Sequence, residues 1–193
     1  MRYRGEFWVA TYGGGLIREH GGQWLQYSLD TLHASVEFDN YINGMFLDKD
    51  ANLWLAGDQK GILYLNLPFL AIENFRSNRK KSSCLKNDEI YSVYQQGDEL
   101  WLGTRGGGVY QVNEKSGLCR QYLAKPGENS LSGNRIYAIT GQKDGTLWIA
   151  ATGKGVNRLD SRSGEFKVYS QKNPASGILD DDVLVMENIV VER

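Results

Sequence analysis

Along this chain, apolar and β-branched residues come in short runs closed by glycine, Asp-Gly or Asn, and no stretch keeps a helical period. The runs Leu147–Ala150 and Val156–Leu159, for example, flank a Gly-rich turn, a pattern that predicts two strands joined as a hairpin. The hairpin recurs. The segments FWVATYGGGLIRE, LWLAGDQKGILYLN, LWLGTRGGGVYQVN and LWIAATGKGVNRLD align without a gap, with tryptophans at Trp8, Trp54, Trp101 and Trp148, spaced 46, 47 and 47. Seven residues after each tryptophan stands a glycine: Gly15, Gly61, Gly108 and Gly155. Self-similarity at a fixed period of this length is the signature of a repeat architecture.

Each repeat extends on both sides of its hairpin. Upstream, Tyr41–Leu47, Ile90–Gln95, Ile136–Thr140 and Val183–Met186 predict a preceding strand, whose leading Ile42, Ile90 and Ile136 lie 11 or 12 residues before the tryptophan. Turns such as Asp144-Gly145 link that strand to the hairpin. Downstream, Trp24–Tyr27, Asn74-Phe75, Leu118–Tyr122 and Phe166–Tyr169 predict a short outer strand with an aromatic 19 or 21 residues after the tryptophan.

Four antiparallel strands per repeat make the fold class all-β, with β-propeller blades as the unit. One such sheet has two apolar faces and must stack on neighbours to bury them. The tryptophans then read first as packing between blades, and the glycines as turn-formers with positive φ. The blade equivalents run over residues 5–40, 41–88, 89–134 and 135–181 of a single domain, with 182–193 as an extra first strand. The first blade reads as eroded around Glu19–Gln23. Because the chain opens at the second strand of a blade (Glu6–Thr11) and closes on a first strand (Asp182–Met186), the last strand could complete the first blade. Two arrangements follow: a closed four-bladed ring, or an arc of a larger propeller that could pair as a homodimer.

Composition narrows the partners. With 22 Lys and Arg against 23 Asp and Glu, the net charge of −1 offers no field for nucleic acid or an anionic membrane. The most apolar stretch, Ile62–Ile72, is broken by Asn66 and Pro68 and falls short of the roughly 20 residues of a membrane span. No membrane contact is expected from this segment, and the N-terminus reads as lacking a signal-peptide core. Cys84 and Cys119 have neither metal spacing nor the density of a disulfide scaffold, so they read as thiols that leave the redox compartment open.

The segments GDELWLGTRGGGVYQVN and DGTLWIAATGKGVNRLD, the outer strand SGEFKVYS and the connection PGENSLSGNRIYAI resemble the two-component regulator propeller repeats of periplasmic sensor proteins. The resemblance implies a ligand-facing propeller, usually seven-bladed, outside the cytoplasm and ahead of a membrane helix and a histidine kinase or diguanylate cyclase. It also implies oligosaccharide ligands and a periplasmic location. This chain has fewer repeats and none of the downstream modules, so no kinase or cyclase activity attaches to its residues.

In a four-stranded blade, the turn between strands two and three and the connection to the next blade emerge on one face, and binding residues concentrate in such loops. The loops are Ser28–Asn40, Arg76–Asp88, Leu123–Asn134 and Ser170–Asp181. Four residues after each tryptophan stand Tyr12, Asp58, Arg105 and Thr152, with Lys154 in the fourth turn; the loop ends supply Asn40, Asp88, Asn134 and Asp181. Directional donors and acceptors beside an aromatic face suit sugar hydroxyls. The loop-end residues have a competing role as turn caps. Binding of an oligosaccharide or other small polar ligand, without cofactor, metal or catalysis, is the leading expectation. A protein-interaction or assembly propeller and a polysaccharide-degrading propeller enzyme are the other two. His20 and His33 form no metal pair. Asp48–Asn52 begins like a calcium loop but has Leu53 and Gln59 where such a loop needs Gly and Glu, which leaves a hairpin turn. The basic stretch Arg76–Lys81 reads as a solvated loop that could also meet an anionic partner.

Overall fold

The computed structural model of the protein describes residues 2–3, 5–29, 38–66, 71–75, 85–86, 89–113, 115–184 and 186. Among the described residues, sixteen strands form four sheets. Sheet I holds β1 (Arg2–Tyr3), β2 (Glu6–Ala10), β3 (Leu16–His20) and β4 (Gln23–Tyr27). Sheet II holds β5 (Ile42–Leu47), β6 (Asn52–Gly57), β7 (Ile62–Asn66) and β8 (Ala71–Phe75). Sheet III is β9 (Ile90–Gln96), β10 (Glu99–Thr104), β11 (Val109–Asn113) and β12 (Cys119–Tyr122). Sheet IV is β13 (Ile136–Gly141), β14 (Thr146–Ala151), β15 (Val156–Asp160) and β16 (Phe166–Tyr169). In every sheet the strands neighbour one another in chain order, which is the propeller blade expected from the repeat.

Strand pairing explains why the spacing is so constant. The tryptophan on the second strand pairs across to the third at Trp8↔Arg18, Trp54↔Tyr64, Trp101↔Gln111 and Trp148↔Arg158. Period-two alternation then sends the residues on either side of the tryptophan to the opposite face. The chain divides into two compact units, Met1–Val93 and Tyr94–Arg193, with the boundary inside β9. In the first unit, Trp8, Leu16 and Tyr27 of sheet I pack on Ile42, Leu53, Leu55, Leu63 and Leu65 of sheet II. In the second, Trp101, Val109 and Tyr122 of sheet III pack on Ile136, Ile139, Leu147, Ile149 and Leu159 of sheet IV. One rule serves both: the tryptophan face of a sheet seats on the aliphatic face of the next.

The N-terminal blade differs from its expectation in two ways. Its first strand is local, because β1 folds back on β2 with Arg2↔Phe7 and Tyr3↔Glu6. Residues 181–184 and 186 are in no strand, and the rest of the expected Asp182–Met186 strand lies outside the described residues. Nor is the hairpin around Glu19–Gln23 eroded. Gly21 and Gly22, with φ of 59° and 81°, make a two-residue turn that holds Glu19↔Trp24 and His20↔Gln23 in register. Cys119 brings a third correction, since it is disulfide-bonded rather than a free thiol. Sequence spacing carries no sign of a pairing that only the fold creates; Cys84 lies outside the described residues.

The glycine seven residues after the tryptophan is favoured by φ in all four repeats and required by space in three. Gly15, Gly61, Gly108 and Gly155 have φ between 70° and 75°. A Cβ at Gly15, Gly108 or Gly155 would overlap the carbonyl of Tyr27, Tyr122 or Tyr169 on the fourth strand. Gly164, at φ 74°, has open space around the same position. Gly164→Ala should therefore cost only the roughly 1–2 kcal/mol of left-handed backbone. Gly155→Ala should cost clearly more, because the sheet edge must move as well. Urea denaturation of the two variants measures the difference, and equal losses would remove the carbonyl contact as a cause.

Candidate functional site

The Gly-rich turns and the loop ends are fastened together by one recurring clamp. Gly15, Gly108 and Gly155 donate their N–H to the main-chain carbonyls of Asn40, Asn134 and Asp181 at 3.1, 2.9 and 3.1 Å. The side chains of those three residues reach the start of the same loop. Oδ1 accepts from Leu29 N at 2.7 Å, Ala124 N at 2.6 Å and Gln171 N at 2.7 Å. Each of these three connections is thus tied at both ends to one Asx residue, over a span wider than an ordinary turn cap. Buried anchors fill the loops: Leu29 and Phe38 in the first, and Leu131 in the third, beside an Asn157 whose Oδ1 takes the N–H of Ser132.

The clamp delivers the next residue to the turn face. In the first unit that residue is Tyr41, which bridges Tyr12 of the preceding blade and accepts at its carbonyl from Asp58 N at 3.1 Å. Tyr12 and Tyr41 are both exposed, and their rings meet edge to face with centroids 4.9 Å apart. Below them Asp58 receives a long 3.4 Å contact from the Tyr12 hydroxyl and a 3.2 Å bond from Asn43 Nδ2. Asn43 is itself held by the Ile90 carbonyl at 3.1 Å. Two aromatic faces, a carboxylate and a carboxamide therefore share one solvent-facing corner.

The second unit repeats the frame with different chemistry. Thr152 N donates to the Arg135 carbonyl at 2.9 Å, as Asp58 does to Tyr41, and Arg135, Arg105 and Lys154 are exposed. Lys154 lies along the backbone of Gly133, and Asp182 accepts from Gly153 N at 2.9 Å. This corner is cationic, where its counterpart is aromatic and acidic. Of the residues read from the sequence, Tyr12 and Asp58 meet in one corner, and Arg105, Thr152 and Lys154 occupy equivalent turn positions in the other unit. Asn40, Asn134 and Asp181 hold the clamps. Asp88, His33 and Arg76–Lys81 lie outside the described residues. Sequence reading missed Tyr41, Asn43 and Arg135. The signal that could have found Tyr41 and Arg135 is the position directly after each loop-end Asn.

Two polar networks away from this face are structural. Asp48 is buried and accepts from Asp50 N, Asn52 N, Asn52 Nδ2 and Trp54 Nε1 at 2.6–3.1 Å, which makes the Asp48–Asn52 segment a hairpin turn, as expected. In sheet I, Glu6 takes both Arg18 Nε and NH2 at 2.7 and 2.6 Å, with His20 Nδ1 at 2.5 Å. The Arg18 hydrogen bonds, then the His20 bond, hold the Glu6 carboxyl down at about 2. Its lowered pKa means the contribution is complete above the unfolded value of 4.5 and is lost as pH falls through about 2. Glu6→Gln should flatten the melting temperature against pH between those values, as measured by circular dichroism in low salt. An unchanged slope would show that the pair does not act on stability. At the clamp, Asn134→Ala should lose about 1 kcal/mol, whereas Asn134→Asp, which keeps the acceptor, should lose much less; chemical denaturation reads both.

Sheets of this topology, stacked tryptophan face on aliphatic face, define the β-propeller class. Within it, residues 130–153 match the family model described as the two component regulator propeller. Among solved structures, the chain is similar to the extracellular domain of the hybrid two component system BT3049 from B. thetaiotaomicron. That likeness has 20% identity and a TM-score of 0.73, and covers 88% of this chain and 24% of the other. The extracellular domain of the BT4673 hybrid system from the same organism gives 21% identity and a TM-score of 0.65, over 86% of this chain and 23% of that one. Virginiamycin B lyase from Staphylococcus aureus gives 16% identity and 0.62, over 89% and 54%. At these identities the likeness is one of fold, and the chain spans about a quarter of the length of the first two. No curated protein sequence matches it.

Proposed function

We propose that this chain is an extracytoplasmic ligand-sensing propeller module that binds an oligosaccharide or similar polyhydroxylated ligand without transforming it. The observation that carries the reading is the Tyr12–Tyr41 pair standing exposed over Asp58 and Asn43. Pyranose rings present an apolar C–H face and an equatorial rim of hydroxyls. Exposed aromatic rings take the first, and a carboxylate beside a carboxamide takes the second, as acceptor and donor. The ion-dipole bond to Asp58 supplies strength in the same place.

Two further facts support the setting. The matched family model is that of a regulator propeller, and two similar structures are extracellular domains of signalling systems. Cys119 is disulfide-bonded, a state that persists in oxidising compartments. Positions on the turn face vary over a constant frame, which is how repeat scaffolds tune ligand choice.

Thermal-shift screening against neutral and acidic oligosaccharides should identify a ligand that raises the melting temperature in proportion to its concentration. For that ligand, Tyr41→Ala and Asp58→Asn should each weaken binding roughly ten- to hundred-fold by calorimetry. Lys115→Ala, at the end of sheet III opposite its Gly-rich turn, where it pairs with Asp98, should leave it unchanged. A ligand whose affinity ignores both Tyr41 and Asp58 would place the site elsewhere.

A further inference from the structure

Asp58, the half-buried carboxylate of the tyrosine corner, is held more loosely than other aspartates of the chain. Asp48, Asp144, Asp160 and Asp181 each accept at least one N–H at 2.6–2.9 Å. Among the described residues, the Asp58 carboxylate has only the 3.4 Å contact from the Tyr12 hydroxyl and the 3.2 Å bond from Asn43 Nδ2. Ion pairs join Glu6 to Arg18 and His20, Asp98 to Lys115 and Glu128 to Lys125. Among the described residues none of them includes Asp58, and Lys60, two residues along the same turn, does not pair with it. A carboxylate drawn partly out of water against two long bonds has an unmet demand for a donor.

The groups around it set what kind of donor fits. Tyr12 and Asn43 aim their donors inward, at Asp58 and at the Ile90 carbonyl, so a ligand here meets chiefly acceptors and ring faces. The main-chain N–H of Asp58 is likewise engaged, by the Tyr41 carbonyl. Tyr12 and Tyr41, 67% and 46% exposed, stand at 72° to each other and make two adjoining aromatic walls. The face of each ring carries the negative part of its quadrupole. Carboxylate and ring faces together favour a cation. An ammonium suits such a corner, since it offers several donors and no acceptor.

We propose that the sugar recognised at this corner carries a free amino group, its ammonium seated on Asp58 against the faces of Tyr12 and Tyr41. The inference rests on the oligosaccharide reading above and narrows it to amino sugars. A neutral hydroxyl would gain one hydrogen bond from Asp58. An ammonium gains that bond, the attraction of unlike charges and the pull of the rings. An acetamido group in the same place forfeits the charge, and a uronate carboxylate is repelled by Asp58.

Calorimetry with glucosamine oligosaccharides and their N-acetylated counterparts tests this, because the two series share ring and linkage and differ in the charge. The amino series should bind roughly ten-fold more tightly or better. Asp58→Asn, which keeps the shape and removes the charge, should erase that preference, and Tyr41→Ala should weaken both series. Trilysine, the same cation without a sugar ring, should bind far more weakly than the amino sugars. Melting curves confirm that each variant is folded. An N-acetylated or neutral oligosaccharide that binds through Tyr41 and Asp58 as tightly as the amino series overturns the inference and leaves the oligosaccharide reading standing. An amino preference that survives Asp58→Asn overturns it too, as does trilysine bound as tightly as the amino sugars. Failure of every oligosaccharide to bind, whether amino, neutral or acidic, overturns both the inference and the reading beneath it.

Discussion

Everything on the turn face depends on how closely the backbone of the repeat glycine approaches the fourth strand. At Gly15, Gly108 and Gly155 there is no room for a Cβ against the carbonyl of Tyr27, Tyr122 or Tyr169. That approach leaves the glycine N–H pointing at the loop end, where the carbonyl of Asn40, Asn134 or Asp181 takes it. The same Asx side chain closes the loop at its start. A short polar residue is needed because its oxygen must reach back to the main chain while its own carbonyl faces the turn. The clamp thus uses backbone groups and one side chain, and leaves the neighbouring side chains unconstrained.

This division of labour decides what the amino-acid sequence reveals. Trp8, Trp54, Trp101 and Trp148 and their glycines were legible because sheet register and a positive φ permit few substitutes at those places. The fourth-strand aromatics were legible for the same reason, since three of them stack on the tryptophan of their own sheet. β1 was missed because two residues carry no periodicity. The Gly21-Gly22 hairpin was underestimated because its third strand carries Glu19 where the other repeats carry Leu65, Val112 and Leu159. The Cys119 disulfide was missed because covalent proximity across a fold leaves no trace in spacing.

The candidate site was half legible. Tyr12 and Asp58 were found because they share one offset from the tryptophan. Tyr41 and Asn43 were not, although Tyr41 touches both of the others, because it arrives from the far end of a loop whose length hides its approach. A repeat frame exposes what recurs, and a binding corner is made of what does not. The side chains after the clamp are Tyr41 and Arg135, and those after the tryptophan are Tyr12, Asp58, Arg105 and Thr152. Their variety over an unvarying backbone is the pattern of a surface selected for contact rather than for packing.

The same reasoning separates the two kinds of exposed apolar group in this chain. Tyr12 and Tyr41 sit on loops above polar partners, each with a hydroxyl that water can satisfy, so their exposure costs the folded state little. Val9 and Trp24 sit on strands whose repeat frame elsewhere buries the residues beside the tryptophan completely, and they border a carboxylate where other sheets carry leucine or valine. Exposure of the first pair is what a ligand platform requires. Exposure of the second removes roughly 1.5–3 kcal/mol of available burial per large side chain from an isolated copy. The carboxylate in that row has a local partner, since Glu19 Oε1 accepts from Gly22 N at 2.7 Å and so closes its own hairpin.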